Sequence, residues 1–138
     1  MADCCKTETK LIYACSGAAD VVEIADRVVR RLRSEGFTKM TCLAGIGAEL
    51  SGYVQSAKGA DENITIDGCK TACAKKTLER IGVQPTSYIL TEFGLVKGKT
   101  PVTEKIIAEM SGKIKSTISS PAALEQIAIS DCSCGGKG

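Results

Sequence analysis

Along the chain, short apolar runs rich in β-branched residues alternate with stretches whose apolar positions recur every three to four residues. That alternation is the pattern of a parallel sheet flanked by helices. Leu11-Ile12-Tyr13-Ala14-Cys15 reads as a first strand, closed by Ser16-Gly17. Val21, Val22, Ala25, Val28, Val29 and Leu32 then follow at helical spacing, and Gly36 supplies a stop. Met40 to Ala44 reads as a second strand ending in the tight turn Gly45-Ile46-Gly47, before a short helix over Ala48 to Ala57 with Leu50, Tyr53, Val54 and Ala57 on one face. Asn63 to Asp67 alternates as a third strand, and a helix runs from the Gly68-Cys69 junction to about Ile81. Ser87 to Thr91 is the fourth strand. Thr100-Pro101 is expected to open a longer helix, proline in its first turn, with Ile106, Ile107, Met110 and Ile114 lining one side. Ser120-Pro121 is expected to start a last helix to about Ile129.

The expected fold is therefore a single α/β domain over residues 10–129. It is a three-layer α/β/α arrangement around a mainly parallel, Rossmann-like sheet of about four strands, in the order 2-1-3-4. Residues 1–9 and 130–138 read as loose, cysteine-bearing ends. A length of 138 residues suits one domain with a real core. Hydrophobic content of 43% and 25% charged residues belong to a globular chain. The formal net charge of +2 and the five scattered aromatic residues point to no nucleic-acid partner. Arg30-Arg31 and Lys75-Lys76 fall within amphipathic helices and read as solvated faces. With a polar first stretch and no long apolar run, the expected setting is cytoplasmic, with no membrane partner.

Cysteine changes this picture. There are eight: Cys4, Cys5, Cys15, Cys42, Cys69, Cys73, Cys132 and Cys134. In a reducing compartment such a count points to metal or redox chemistry before structural disulfides. The chain has no histidine. It therefore cannot build a Ser-His-Asp triad, a Cys-His dyad or a His-containing metal site by itself. A metal site here must rest on sulfur, carboxylate and water.

In the expected topology Cys15, Cys69 and Cys73 lie at strand-to-helix junctions, which right-handed crossovers bring to one edge of the sheet. Cys69 and Cys73, four apart, are expected on one face of a helix's first turn, where the positive end of the helix favours thiolate. Two buried small apolar residues are the plainer alternative. Cys15 is a plausible third ligand, beside the small residues Ser16-Gly17-Ala18-Ala19. A phosphatase-type loop at Cys15 would need an arginine close behind, and none stands between Cys15 and Arg27. Cys42 is equally explained as a buried thiol in strand two. Gly45-x-Gly47 is a weak nucleotide-binding signal, since Leu50 stands at the third glycine position. Glu92 falls at the same sheet edge and reads by default as a solvated carboxylate.

Tyr13-Ala14-Cys15-Ser16-Gly17, Cys42-Leu43-Ala44-Gly45-Ile46-Gly47-Ala48 and Ile66-Asp67-Gly68-Cys69-Lys70-Thr71-Ala72-Cys73-Ala74-Lys75-Lys76 resemble the DGC family, named for an Asp-Gly-Cys motif and associated with zinc. Thr91-Glu92-Phe93-Gly94-Leu95-Val96-Lys97 resembles the segment that follows in that family. The resemblance covers residues 10 to 98 and implies four chelating cysteines, here Cys15, Cys42, Cys69 and Cys73. It raises Cys42 above its standing from strand placement alone, and leaves Cys4, Cys5, Cys132 and Cys134 without a role.

The reading that follows is a metal-binding protein, with a metal ion, zinc, as its partner. Four thiolates around a divalent ion leave a charge of −2, which Lys70 and a helix N-terminus would partly offset. Asp67 and Ser16 are candidates to hydrogen-bond around the sulfurs, Asp67 equally as a turn former. A thiol-based redox or sulfur-transfer enzyme using Cys69 and Cys15 is the alternative, and an iron–sulfur protein a third. The sequence names no reaction or substrate.

Overall fold

The computed structural model describes residues 8–119. The expected helix from Ser120 and the four terminal cysteines lie outside those residues. Four parallel strands form one sheet in the order β2-β1-β3-β4: β1 (Lys10–Ala14), β2 (Lys39–Met40), β3 (Glu62–Asp67) and β4 (Thr86–Ile89). The expected order is the observed one. β1 aligns Ile12 with Ile64 and Ala14 with Ile66 on β3, and Leu11 with Lys39 on β2.

Strand alternation sorts the two faces. Ile12, Ala14, Ile64 and Ile66 face helices α1 (Asp20–Ser34) and α5 (Glu104–Ile118). Val21, Ile24, Ala25, Val28, Val29 and Leu32 of α1 and Ile107, Met110 and Ile114 of α5 are buried there. Leu11 and Tyr13 face the other way, packed with Ile46 of α2 (Leu43–Gly47), Ala57 of α3 (Ser51–Gly59) and Leu78 of α4 (Cys73–Arg80). Helices thus cover both faces. On the second face the Tyr13 hydroxyl donates to Asn63 Oδ1 at 3.0 Å, and Asn63 Nδ2 donates to the Ala57 carbonyl at 2.9 Å. That buried chain of polar groups satisfies the Tyr13 hydroxyl and the Asn63 amide. The exposed side of α1 carries the i,i+4 pairs Glu23–Arg27, Asp26–Arg30 and Arg31–Glu35, as expected of a solvated face.

Three local expectations need correction. Strand two is shorter than its apolar run: pairing stops at Met40, and Leu43-Ala44-Gly45-Ile46-Gly47 is a helix. Gly45 is buried within it because an added Cβ would stand 2.5 Å from the Tyr53 ring. Gly45 therefore serves close packing and not a tight strand-to-helix turn, while a Cβ on Gly47 would meet only Thr77 Cγ2 at 4.0 Å. Pro101 lies in the loop ahead of α5; the helix starts at Glu104, capped by Thr103, whose Oγ1 accepts from the Ile106 amide. Strand four ends at Ile89 and gives way to a 3-10 turn over Leu90–Phe93, which holds the exposed Glu92. Among the described residues no helix is long and apolar enough to cross a membrane.

Candidate functional site

The strand order reverses between β1 and β3: the chain moves from β1 outward to β2, then crosses back to β3. In open α/β sheets the carboxyl end of such a switch is where ligands sit. Here it holds a pocket of about 230 Å³ between the loop after β1 (Ser16 to Ala19) and the loop after β3 (Gly68 to Ala72). Cys15, Cys69, Cys73, Asp67 and Lys97 line it. The topology therefore brings three of the four predicted cysteines to one place.

Each cysteine has a different environment. Cys15 is 3% exposed and closes β1, its amide bonded to the Ile66 carbonyl. Its sulfur accepts a hydrogen bond from the Gly68 amide at 3.1 Å. Burial pushes the Cys15 thiol up to about 12, despite that bond, so it stays protonated at neutral pH. Cys69 is half-buried, its sulfur 3.5 Å from the Thr71 hydroxyl and 3.6 Å from the Lys97 ammonium. Hydrogen bonds from Thr71, with Lys97 adding to them, hold the Cys69 thiol below the ordinary cysteine range. Cys73 is exposed at the first position of α4. Cys42 is exposed as well, at the N-cap of α2, and does not line the pocket.

The helical spacing expected of Cys69 and Cys73 is not what the chain adopts. Residues 68–72 form a turn, Ala72 takes the left-handed conformation (φ 53°, ψ 49°), and α4 begins only at Cys73. The two sulfurs therefore sit on a turn and on a helix start, and not on one helical face. What starts the helix is Asp67. Its carboxylate, 1% exposed, accepts from the Ala74 amide at 2.8 Å and the Lys75 amide at 3.1 Å. These are donors that the first turn of α4 leaves open. Burial raises the Asp67 pKa, while those amides and a hydrogen bond with Cys15 oppose the rise.

Gly68 has its own reason. A Cβ there would lie 2.6 Å from the Val21 carbonyl carbon and oxygen, in the backbone of α1. Asp67 and Gly68 thus set the loop that carries Cys69, one by capping and one by close approach. Ser16 and Lys70 are exposed, Ser16 on the pocket wall. The lysine that reaches the Cys69 sulfur is Lys97, from the loop after the 3-10 turn. Periodicity gave no sign of it; its one signal was its place in the segment 91–97 that resembles the DGC family.

Among the described residues, no three Cys, Asp or Glu side chains stand close enough together to hold a metal ion. Sulfur donors suited to a soft metal share the pocket, but they are not gathered into a coordination shell.

The DGC domain sequence profile matches residues 11–117, most of the chain. The chain belongs to the DGC domain family. A similar protein is the anaerobic and virulence modulator AnvM of Pseudomonas aeruginosa, 36% identical over 88 residues, which cover 63% of this chain and 67% of that one. No solved structure matches.

These environments order the thiols for a chemical probe. In metal-free protein treated with iodoacetamide at pH 7.5, Cys69 is expected to react first and Cys15 last among Cys15, Cys42, Cys69 and Cys73, by at least about tenfold, because only thiolate attacks and burial also bars the reagent. Mass mapping of partly alkylated protein measures this. Cys15 modified as fast as Cys69 would contradict the closed environment described for it.

Proposed function

We propose that this DGC domain binds a thiophilic metal ion, zinc, at the switch-point pocket, with Cys15, Cys69 and Cys73 as sulfur donors and Cys42 as the fourth. The observation that carries this reading is that cysteines more than fifty positions apart in sequence open onto one pocket at the carboxyl edge. The donor chemistry fits: thiolates are the preferred ligands of zinc and of other soft ions. Bound zinc would hold the four thiolates together in a closed tetrahedral site.

The residues around the sulfurs have separate tasks. Lys97 offsets thiolate charge, Thr71 donates a hydrogen bond to Cys69, and Asp67 holds the Gly68-Cys69 turn against α4. Binding draws the sulfurs together and takes the proton from Cys15, so affinity rises with pH. The relative's name links it to anaerobic life and virulence. A thiolate site that oxidation empties would suit such a modulator.

One observation favours a second reading. Lys97 and Thr71 beside a half-buried Cys69 are also the surroundings of a thiol nucleophile. The two readings separate in one experiment. Protein purified without added metal is analysed for its elements beside Cys69→Ser/Cys73→Ser. About one zinc per chain, lost in the double variant, is the expected result. No metal in the wild type, with fast alkylation at Cys69, would leave thiol chemistry as the function. Iron with sulfide would make the protein a cluster carrier.

A further inference from the structure

We infer that Asp20 is a positioning residue that clasps the Val96–Thr100 loop over the thiol pocket and so sets Lys97 against Cys69. This rests on the pocket being the functional site. Asp20 is the first residue of α1, and an acidic side chain there needs no more than the amides of its own helix. Only one of its bonds goes there, to the Val21 amide at 2.8 Å. The other two cross to a loop about eighty residues away: Oδ1 accepts from the Gly98 amide at 2.9 Å and Oδ2 from the Thr100 amide at 3.0 Å.

The loop is built to be held this way. The Lys99 amide donates to the Val96 carbonyl at 3.1 Å, and Gly98 has φ 83°, which makes 96–99 a turn that requires glycine at its third position. Thr100 Oγ1 accepts from the Val96 amide at 2.9 Å and donates to the Val96 carbonyl at 2.8 Å, closing the loop on itself. Leu95 is buried in the core behind it. Lys97 is left at the corner of the turn, its ammonium 3.6 Å from the Cys69 sulfur. It makes no ion pair with a carboxylate among the described residues. Hydrogen bonds thus run from the α1 N-terminus through the loop to the sulfur. The cation reaches its sulfur through Asp20.

A double-mutant cycle on the full chain tests this. Asp20→Asn, Lys97→Met and their combination are titrated with zinc against a chromogenic chelator. If Asp20 acts through Lys97, each single change weakens zinc about fivefold, as loss of one partly exposed charge contact would. The combination then weakens it no further. Thr100→Val, which removes the Oγ1 bonds to Val96 but keeps both amides on Asp20, is expected to retain near wild-type affinity; a fivefold loss there too would mean that any loosening of the loop, and not Asp20, governs Lys97. Circular dichroism of Asp20→Asn guards against a fold defect at the helix start. Multiplied losses in the double variant, or full affinity in Asp20→Asn, would overturn the clasp.

Should the wild type take up no zinc, the proposed metal function fails while the clasp stays testable. The rate of Cys69 alkylation then replaces affinity in the same cycle. Equal, non-additive slowing in the three variants supports it; independent effects reject it.

Discussion

Replacing Gly68 with alanine is expected to destabilise the domain by about 3 kcal/mol, the upper part of the range for overpacking a tight interior. The reason is what the new methyl would meet. Its neighbours at 2.6–2.7 Å are the Val21 carbonyl and the Val22 amide nitrogen, backbone atoms inside the first turn of α1. A side-chain tip could rotate away, but helix backbone cannot move without the helix, and α1 carries six buried core residues. The loop must then lift, which breaks the bond from the Gly68 amide to the Cys15 sulfur and carries Cys69 away from Lys97. Urea unfolding measures the loss. Gly17→Ala is the control: it lines the same pocket, but its Cβ would meet only Val22 Cγ1 at 3.6 Å, an ordinary contact. It should stay within about 0.5 kcal/mol of the wild type. Equal stability of the two variants would mean that the β3–α4 loop has room to yield and that the glycine of the motif is not there for close approach.

Whatever rests on long-range alternation of apolar residues was legible in the sequence. The α1 stripe is legible because a fifteen-residue helix repeats its buried face four times over. β1 and β3 are legible because their apolar runs are buried on both sides, whereas the order 2-1-3-4 is an assumption from the general topology of open α/β sheets and is the order observed. What was not legible depends on single close contacts. Met40 to Ala44 looks like a strand, and a five-residue helix with two glycines has little intrinsic tendency to form. It forms because Gly45 admits the Tyr53 ring and Ile46 reaches the second face of the core. The start of α4 is the same kind of case. Nothing in Cys69-Lys70-Thr71-Ala72-Cys73 announces a left-handed alanine, a conformation that costs roughly 1–2 kcal/mol outside glycine. The Asp67 carboxylate and the Ala72-to-Cys69 turn bond hold it there. Three cysteines of the candidate site were found from topology alone. Lys97 and Asp20 were not, because their link is a loop-to-helix bond that no periodicity encodes.

Asp67→Ala should be the other large effect, again about 3 kcal/mol. Removing a cap costs about 1 kcal/mol in an exposed helix, and leaving buried donors without an acceptor adds about 1–3 kcal/mol more. Here the Ala74 amide is deep, Ala74 itself being fully buried, and water cannot replace the carboxylate without entering the core. Against a typical domain stability of about 5–15 kcal/mol this is a severe loss. Asp67→Asn separates geometry from charge. Its single amide oxygen can accept from one of the two backbone amides, while its NH2 group would face the other as donor against donor. It should therefore recover only part of the stability, to a loss of about 1–2 kcal/mol. The same pair tells capping from metal chemistry. If Asp67 serves the pocket only by holding α4 and the Cys69 turn, the loss of zinc affinity in the two variants will follow their loss of stability. If Asp67→Asn keeps most of the stability yet abolishes zinc binding, the carboxylate acts on the metal site directly, and the division of labour between Asp67 and the sulfurs must be redrawn.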